Sequence, residues 1–442
     1  MTAFSRPTRP LCLRGGRVVD PATGMDGIAD VLLADGRVVD VAPSIALSPD
    51  WPGRVVDVSG CLVTPGWIDM HVHLREPGGT HKETVATGTR SAARGGFTTV
   101  VSMANTKPVI DSPERVRELR KTIERDAAVR VEIIGAITEG LLGETLTPFP
   151  AMVDAGVVAF SDDGKTVMNA ATMREAFARA QQVGKPIIVH CEDGCLKGCG
   201  VVNEGPVATK LGLPAIPPVS EDVIVARDLL LAESVGARVH VAHLSTRGAI
   251  RLVRDAKARG LPVTAEATPH HLTLDAAAVE THGPLAKMAP PLRSPEDVAM
   301  LREAVADGTI DVIATDHAPH ATAEKEETTV ELAEFGITGL ETAFGLTWRF
   351  VAEGRWSVHR YVDALTAAPA RILGLAGGTL ARGAPADVTV ARPEEQWRFD
   401  RDRQATMSRN TPFHGALMHG RVRLTVVGGL IVYDADGEGG AT

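Results

Sequence analysis

The sequence predicts an α/β fold: a (β/α)8 TIM-like barrel with a small β-sandwich formed by the N- and C-terminal segments. Three observations lead there. Short apolar, β-prone runs alternate with helical patterns. There are eight such runs, the first at residues 67–73. Five of the eight end in metal-competent or acid/base residues. Alternation of strand and helix argues a parallel sheet, and eight repeats argue closure into a barrel. Catalytic groups of such barrels sit at the C-terminal ends of the strands, which is where the polar residues fall.

The first run carries His71-Val72-His73 and stops at Pro77-Gly78. Residues two apart on a strand share a face, so the two imidazoles aim at one point. The second and third runs, 98–105 and 129–135, bring no histidine. The fourth, 157–163, ends in Asp162 and Asp163. The fifth and sixth, 186–190 and 238–243, end in His190 and His243. The seventh is 262–266, and the eighth, from Asp311, ends in Asp316, His317 and His320. Helical patterns at 173–182 and 221–232 represent the connections.

A chain of 442 residues exceeds one barrel of about 250 residues. The surplus lies at the two ends as short alternating runs with turn signals, such as 15–20, 31–36, 386–391 and 421–427. Residues 1–62 and 376–442 are expected to share one discontinuous β-sandwich, with the barrel at 63–375. Residues 437–442 are expected to fray.

Formal net charge is −9 and no basic tract is present, which argues against nucleic acid as a partner. No apolar run approaches a membrane helix, and the first ten residues lack the apolar core of a secretory signal. A soluble cytoplasmic protein is expected. Five cysteines fit reduced thiols there. Cys191, Cys195 and Cys199 stand four apart, but glycines interrupt the stretch, and a separate zinc site is not expected.

Eight ordered motifs carry a resemblance that runs from about Gly15 to Tyr433. They include the stretch from Asp69 to Gly78, Ser161-Asp162-Asp163-Gly164, His243-Leu244-Ser245-Thr246, Thr315 to His320, and Ser408-Arg409-Asn410-Thr411-Pro412. In these the chain resembles the bacterial type I dihydroorotases of the amidohydrolase superfamily. The resemblance implies reversible cyclisation of N-carbamoyl-L-aspartate to L-dihydroorotate and water. It implies one divalent metal on His71, His73 and Asp316, and a second on His190 and His243. Asp163 would bridge them where many relatives use a carboxylated lysine. Zinc is the expected metal, one or two ions per subunit with two expected, because it accepts imidazole and carboxylate together. Asp316 would serve a metal-bound hydroxide as general acid/base.

The residues themselves leave Asp162 and Asp163 open as the bridge; the resemblance favours Asp163, with Asp162 a surface or supporting carboxylate. Lys165 follows Gly164 beyond the predicted strand end, which argues against a carboxylated-lysine version. Arg75 offers paired donors to a carboxylate at the barrel mouth. The resemblance places Arg75 and Asn105 on the substrate α-carboxylate, with His320 lining the site and His317 in support. Backbone near Phe335 and Gly336 is expected to meet the ring, under a polar loop that reads equally as lid or as plain surface.

Two departures stand out: Ala289 replaces a usual Asn, and Ala104 a usual Pro. Ala289 removes a side-chain contact to substrate, for which backbone or His271 would have to compensate. Rival readings are another cyclic amidase, hydantoinase- or allantoinase-like, and an inactive scaffold for aspartate carbamoyltransferase. Retention of all six ligand positions opposes the scaffold. A small-molecule substrate is expected; a homodimer and a complex with aspartate carbamoyltransferase stay open.

Overall fold

The computed structural model describes residues 9–437. The expected fraying of the last residues and most of the N-terminal run read for a secretory signal lie outside the described residues. All eight predicted barrel strands are present. They are β6 (Trp67–Val72), β7 (Phe97–Ser102), β8 (Arg130–Gly135), β9 (Val157–Phe160), β10 (Ile187–Val189), β13 (Val239–Val241), β14 (Val263–Ala267) and β15 (Val312–Ile313). Each pairs in parallel with the next. Val72 and His317 form a parallel bridge, and His73 N–H donates to the His317 carbonyl at 2.9 Å. That contact joins the last strand's exit to the first strand and closes the ring.

The strand residues are apolar on nearly every position because helices cover the outer face. Val100, Ile133, Phe160 and Val239 share one core with helix residues such as Leu119, Phe177, Leu229 and Leu301. Between β10 and β13 the chain inserts a small two-stranded parallel sheet, β11 (Val202–Asn203) and β12 (Ala215–Ile216).

The two chain ends do join. β1 (Leu11–Asp20), β2 (Met25–Ala34), β3 (Arg37–Ala42), β4 (Arg54–Asp57) and β5 (Leu62–Pro65) share a sheet with β16 (Val388–Arg398), β17 (Leu417–Val427) and β18 (Leu430–Asp434). The sandwich expected from sequence is a single hydrogen-bonded sheet, ordered β18-β17-β16-β5-β1-β2-β3 with β4 on β1. It encloses its own apolar core, with Leu13, Val31, Val63, Val388 and Val426. The junction is β5 against β16, antiparallel, with Thr64 opposite Thr389.

β5 passes into β6 through Gly66. A Cβ there would lie 2.1 Å from Thr98 Oγ1, so only glycine allows this approach. Arg130 on β8 grips Asp387 at 2.7 and 3.1 Å, fixing the sheet to the base of the barrel. The opposite, C-terminal end of the barrel is left for chemistry. No described helix is long and apolar enough to cross a membrane.

Candidate metal centre and substrate pocket

Each expected donor lies at or just past the end of its strand. His71 ends within β6; His73, Asp163, His190, His243 and Asp316 lie in the exits of β6, β9, β10, β13 and β15. Two of these exits bend abruptly. His243 and Asp316 have φ of 31° and 46°, in the left-handed region that non-glycine residues rarely adopt. The bends turn both side chains toward the barrel axis.

All six side chains are buried, and they converge. Asp163 Oδ1 lies 3.4 Å from His71 Nε2, 3.4 Å from His190 Nδ1 and 3.5 Å from His243 Nε2. Its Oδ2 lies 3.4 Å from His73 Nε2. Asp316 Oδ1 lies 3.0 Å from His73 Nε2 and 3.5 Å from His71 Nε2. Most of these spacings are long for hydrogen bonds. They suit donors arranged about a common ion, since ligands held tetrahedrally at 2.0–2.1 Å stand about 3.3 Å apart. His71 Nε2 and Asp163 Oδ1 are buried with no hydrogen-bond partner, a costly arrangement that a cation would relieve. Three overlapping groups can hold a metal: His71, His73 and Asp163; His71, His243 and Asp316; and Asp163, His190 and His243. The residues present therefore fit a divalent ion.

Charge within the cluster is mutually reinforcing. Burial works to raise the Asp316 carboxyl, but His71 and His73 outweigh it and hold the pKa down to about 2. Burial works to lower His190, but the neighbouring carboxylates of Asp163 and Glu192 bring it up to about 9.

The two aspartates of the 161–164 turn have separate tasks. Asp162 is no surface carboxylate: it is buried and accepts from Ile137 N–H at 2.7 Å and Thr138 N–H at 3.0 Å. Asp163 alone faces the histidines. Lys165 is exposed and does not enter the centre.

Asn105 touches the cluster. Its Oδ1 lies 2.9 Å from His73 Nδ1, and its Nδ2 donates to the Asp163 carbonyl at 3.2 Å. Arg75 is not paired with Glu76, which instead accepts from Val85 N–H at 2.9 Å. Arg75 Nε donates to the Pro319 carbonyl at 3.0 Å, and its Nη2 stands 3.1 Å from His320 Nε2. His320 also lies 2.9 Å from the Phe335 carbonyl. Phe335 has the Lys197 and Lys287 ammonium groups over its ring at 4.6 and 4.4 Å.

Gly336 is held by its neighbours. Its N–H donates to the Lys287 carbonyl at 3.1 Å and its carbonyl accepts from Asn410. Half-buried Ala289 lies two residues from Lys287. His271 cannot stand in for the missing asparagine, because its ring nitrogens engage Thr268 Oγ1 at 2.8 Å and the Pro290 carbonyl at 2.9 Å. The loop after His320 is anchored from beneath. Buried Lys325 donates to the carbonyls of Lys287 and Glu334 at 2.6 and 2.7 Å.

Several contributors were not marked from sequence. Asp69 accepts from the N–H groups of His71 and Thr315, both at 3.1 Å, and so aligns β6 with the Asp316 turn. Glu266 lies 2.5 Å from His71 Nδ1. Asn410 accepts from His320 N–H at 3.0 Å and donates to the Ala318 carbonyl at 2.9 Å. The position of Glu266 at the end of a barrel strand was a usable signal; Asn410, far off in sequence, had only its motif.

Comparison with known proteins agrees with this geometry. The family description "Dihydro-orotase-like" matches residues 60–249. A dihydroorotase from Anaeromyxobacter dehalogenans (strain 2CP-1) is 50% identical over 431 residues, covering 96% of this chain and 98% of that protein. One from Pelotomaculum thermopropionicum is 50% identical over 423 residues, with the same coverage. Among solved structures, the L-hydantoinase (dihydropyrimidinase) from Arthrobacter aurescens superposes with a TM-score of 0.87 at 26% identity, covering 97% of this chain and 96% of that one. Barrel, converging donors and relatives together define a metal-dependent cyclic amidohydrolase. Within that class the chain belongs to the dihydroorotase family.

Proposed function

We propose that this protein catalyses the reversible cyclisation of N-carbamoyl-L-aspartate to L-dihydroorotate and water. The observation that carries the reading is the Asp163 carboxylate, common to two of the donor groups and within 3.5 Å of four histidines. His71, His73 and Asp316 would hold one zinc ion, His190 and His243 a second, and Asp163 would bridge them. Bound ions would lower the pKa of a water and polarise the ring carbonyl.

The chain's own residues do the rest. Asp316 takes the proton of the attacking water and delivers it to the leaving ring nitrogen; in the reverse direction it removes the ureido N–H proton. Arg75 receives the substrate α-carboxylate through its guanidinium edge. Asn105 adds its second amide N–H, while its carbonyl keeps His73 in place. His320 and Phe335 line the pocket, and half-buried Ala289 gives room without a donor.

The test is hydrolysis of dihydroorotate by zinc-loaded protein beside Asp316→Ala, with hydantoin and allantoin as controls. Dihydroorotate turnover that vanishes in the variant supports the reading. Turnover of hydantoin or allantoin in preference to dihydroorotate would replace it with the other cyclic-amidase reading, which the hydantoinase-like fold keeps in view.

A further inference from the structure

Glu266 is the next-to-last residue of β14 and has no exposed surface. Its two oxygens serve different partners. Oε1 lies 2.5 Å from His71 Nδ1 and also accepts from the His243 N–H at 3.3 Å. Oε2 lies 3.1 Å from His240 Nε2. His240 is itself fully buried, and its other ring nitrogen lies 2.8 Å from Thr264 Oγ1. A buried carboxylate with two imidazoles and a backbone N–H is well satisfied, so it can stay ionised there.

The consequence falls on His71. An imidazole that donates Nδ1–H to a carboxylate has its lone pair on Nε2, and its ring plane is fixed by the contact. His71 Nε2 is the buried atom without a partner that faces Asp163 and Asp316. The other side of the cluster lacks such support. His243 Nδ1 is buried with no partner. His190 Nε2 stands 3.7 Å from Glu192, and that carboxylate is already paired with Lys197.

We propose that Glu266, backed by His240, is the positioning residue that holds His71 as a metal donor. Glu266 aims the ring and strengthens its Nε2 as a ligand; His240 keeps the carboxylate in register. The proposal rests on the reading of His71 as a ligand, and the experiment separates the two.

Metal-free protein is titrated with Co2+, following its visible absorbance and competing with a chelator of known affinity. Wild type, Glu266→Gln and His240→Asn are compared, with the thermal midpoint of each metal-free protein as the control for folding. Glu266→Gln is expected to bind Co2+ roughly 10- to 100-fold more weakly and to shift the absorbance band, since partners behind a metal-bound histidine contribute on that scale. His240→Asn is expected to move the same way by less. Wild-type affinity and spectrum in Glu266→Gln overturn the proposal. If Glu266→Gln does not fold, His240→Asn decides in the same terms. Failure of wild type itself to bind Co2+ overturns the ligand reading of His71, and the positioning role with it.

Discussion

Arg75 Nη2 and His320 Nε2 stand 3.1 Å apart as two donors face to face. The tautomer follows from the neighbours. Lys82 Nζ lies 3.3 Å from His320 Nδ1 and can only donate, so Nδ1 accepts and Nε2 carries the hydrogen. That hydrogen goes to the Phe335 carbonyl at 2.9 Å. Burial, with the charges of Arg75 and Lys82, pushes the His320 pKa far down, so the ring stays neutral. Arg75 is left with a fixed guanidinium whose outer edge has no acceptor in His320, which is the state a carboxylate would complete.

Arg75→Lys therefore tests the grip on substrate. A point charge replaces a fork, and the Nε contact to Pro319 is lost. KM for dihydroorotate is expected to rise roughly 10- to 100-fold, the range of one charge-assisted hydrogen bond, with a smaller change in kcat. Dihydrouracil, which lacks the carboxylate, should be processed as by wild type. Steady-state kinetics on the two substrates decide; equal losses on both would mean Arg75 shapes the pocket and does not read the carboxylate.

Asp316 combines a strained backbone, φ 46°, with a carboxyl held down to about 2. Asparagine keeps its size and can still coordinate, but cannot take a proton. Asp316→Asn is expected to lower kcat by about 10³-fold, within the usual range for a positioned acid/base, with zinc content measured alongside. Near-normal turnover at normal zinc content would assign the proton transfer elsewhere.

Much of this site was legible because strand order and strand ends obey simple rules. Eight apolar runs and their terminal histidines and aspartates could be read by eye. What alternation does not supply is the geometry of the strand exits. His240 and His243, three apart, do part: the His240 ring meets Glu266, while the His243 ring faces Asp163 and only its backbone N–H reaches Glu266. β13 ends at Val241 and His243 turns at φ 31°, so the exit and not the strand register aims the His243 ring. Asp162 and Asp163 part as adjacent residues on a strand would, although β9 ends at Phe160 and it is the turn beyond that sends one carboxylate to the 137–138 backbone and the other to the histidines. Asn410 was illegible as a contact because nothing local predicts that residue 410 packs against 320 and 336.

Asn410 makes a prediction of its own. It ties the His320 strand exit to the Gly336 loop through donations to the carbonyls of Ala318 and Gly336 and acceptance from His320 N–H. Asn410→Ala leaves three buried backbone groups without that partner. Stability should fall by about 1–3 kcal/mol, and KM should rise more than kcat falls, because the pocket wall loosens while the metal donors stay in place. Denaturant unfolding with parallel kinetics tests it; wild-type KM would show that the loop holds its place by Lys325 alone.

Cyclisation converts a dianion to a monoanion and consumes one proton. The ratio of dihydroorotate to carbamoyl aspartate at equilibrium should therefore increase about tenfold for each unit that pH falls, while the carboxylates remain ionised. Product ratios approached from both sides at pH 6, 7 and 8 check this. A ratio indifferent to pH would rule out the proposed reaction, whatever the rate.

Asp228 lies on the helix Val219–Val235, buried, with Arg227 Nε at 2.9 Å. Burial raises its carboxyl to about 6, against the partial relief given by Arg227. The folded protein thus binds this proton more tightly than the unfolded chain does. Its stabilising share is complete below about pH 4 and is lost as pH rises through about 6, so at neutral pH the ionised group weakens the fold by about 3 kcal/mol. Asp228→Asn removes the charge and keeps the shape. Its thermal midpoint should exceed that of wild type by a few degrees at pH 7.5, and the gap should narrow at pH 5. Scans of both proteins at the two pH values decide, and a gap that does not change with pH would mean that Arg227 fully compensates the buried carboxylate.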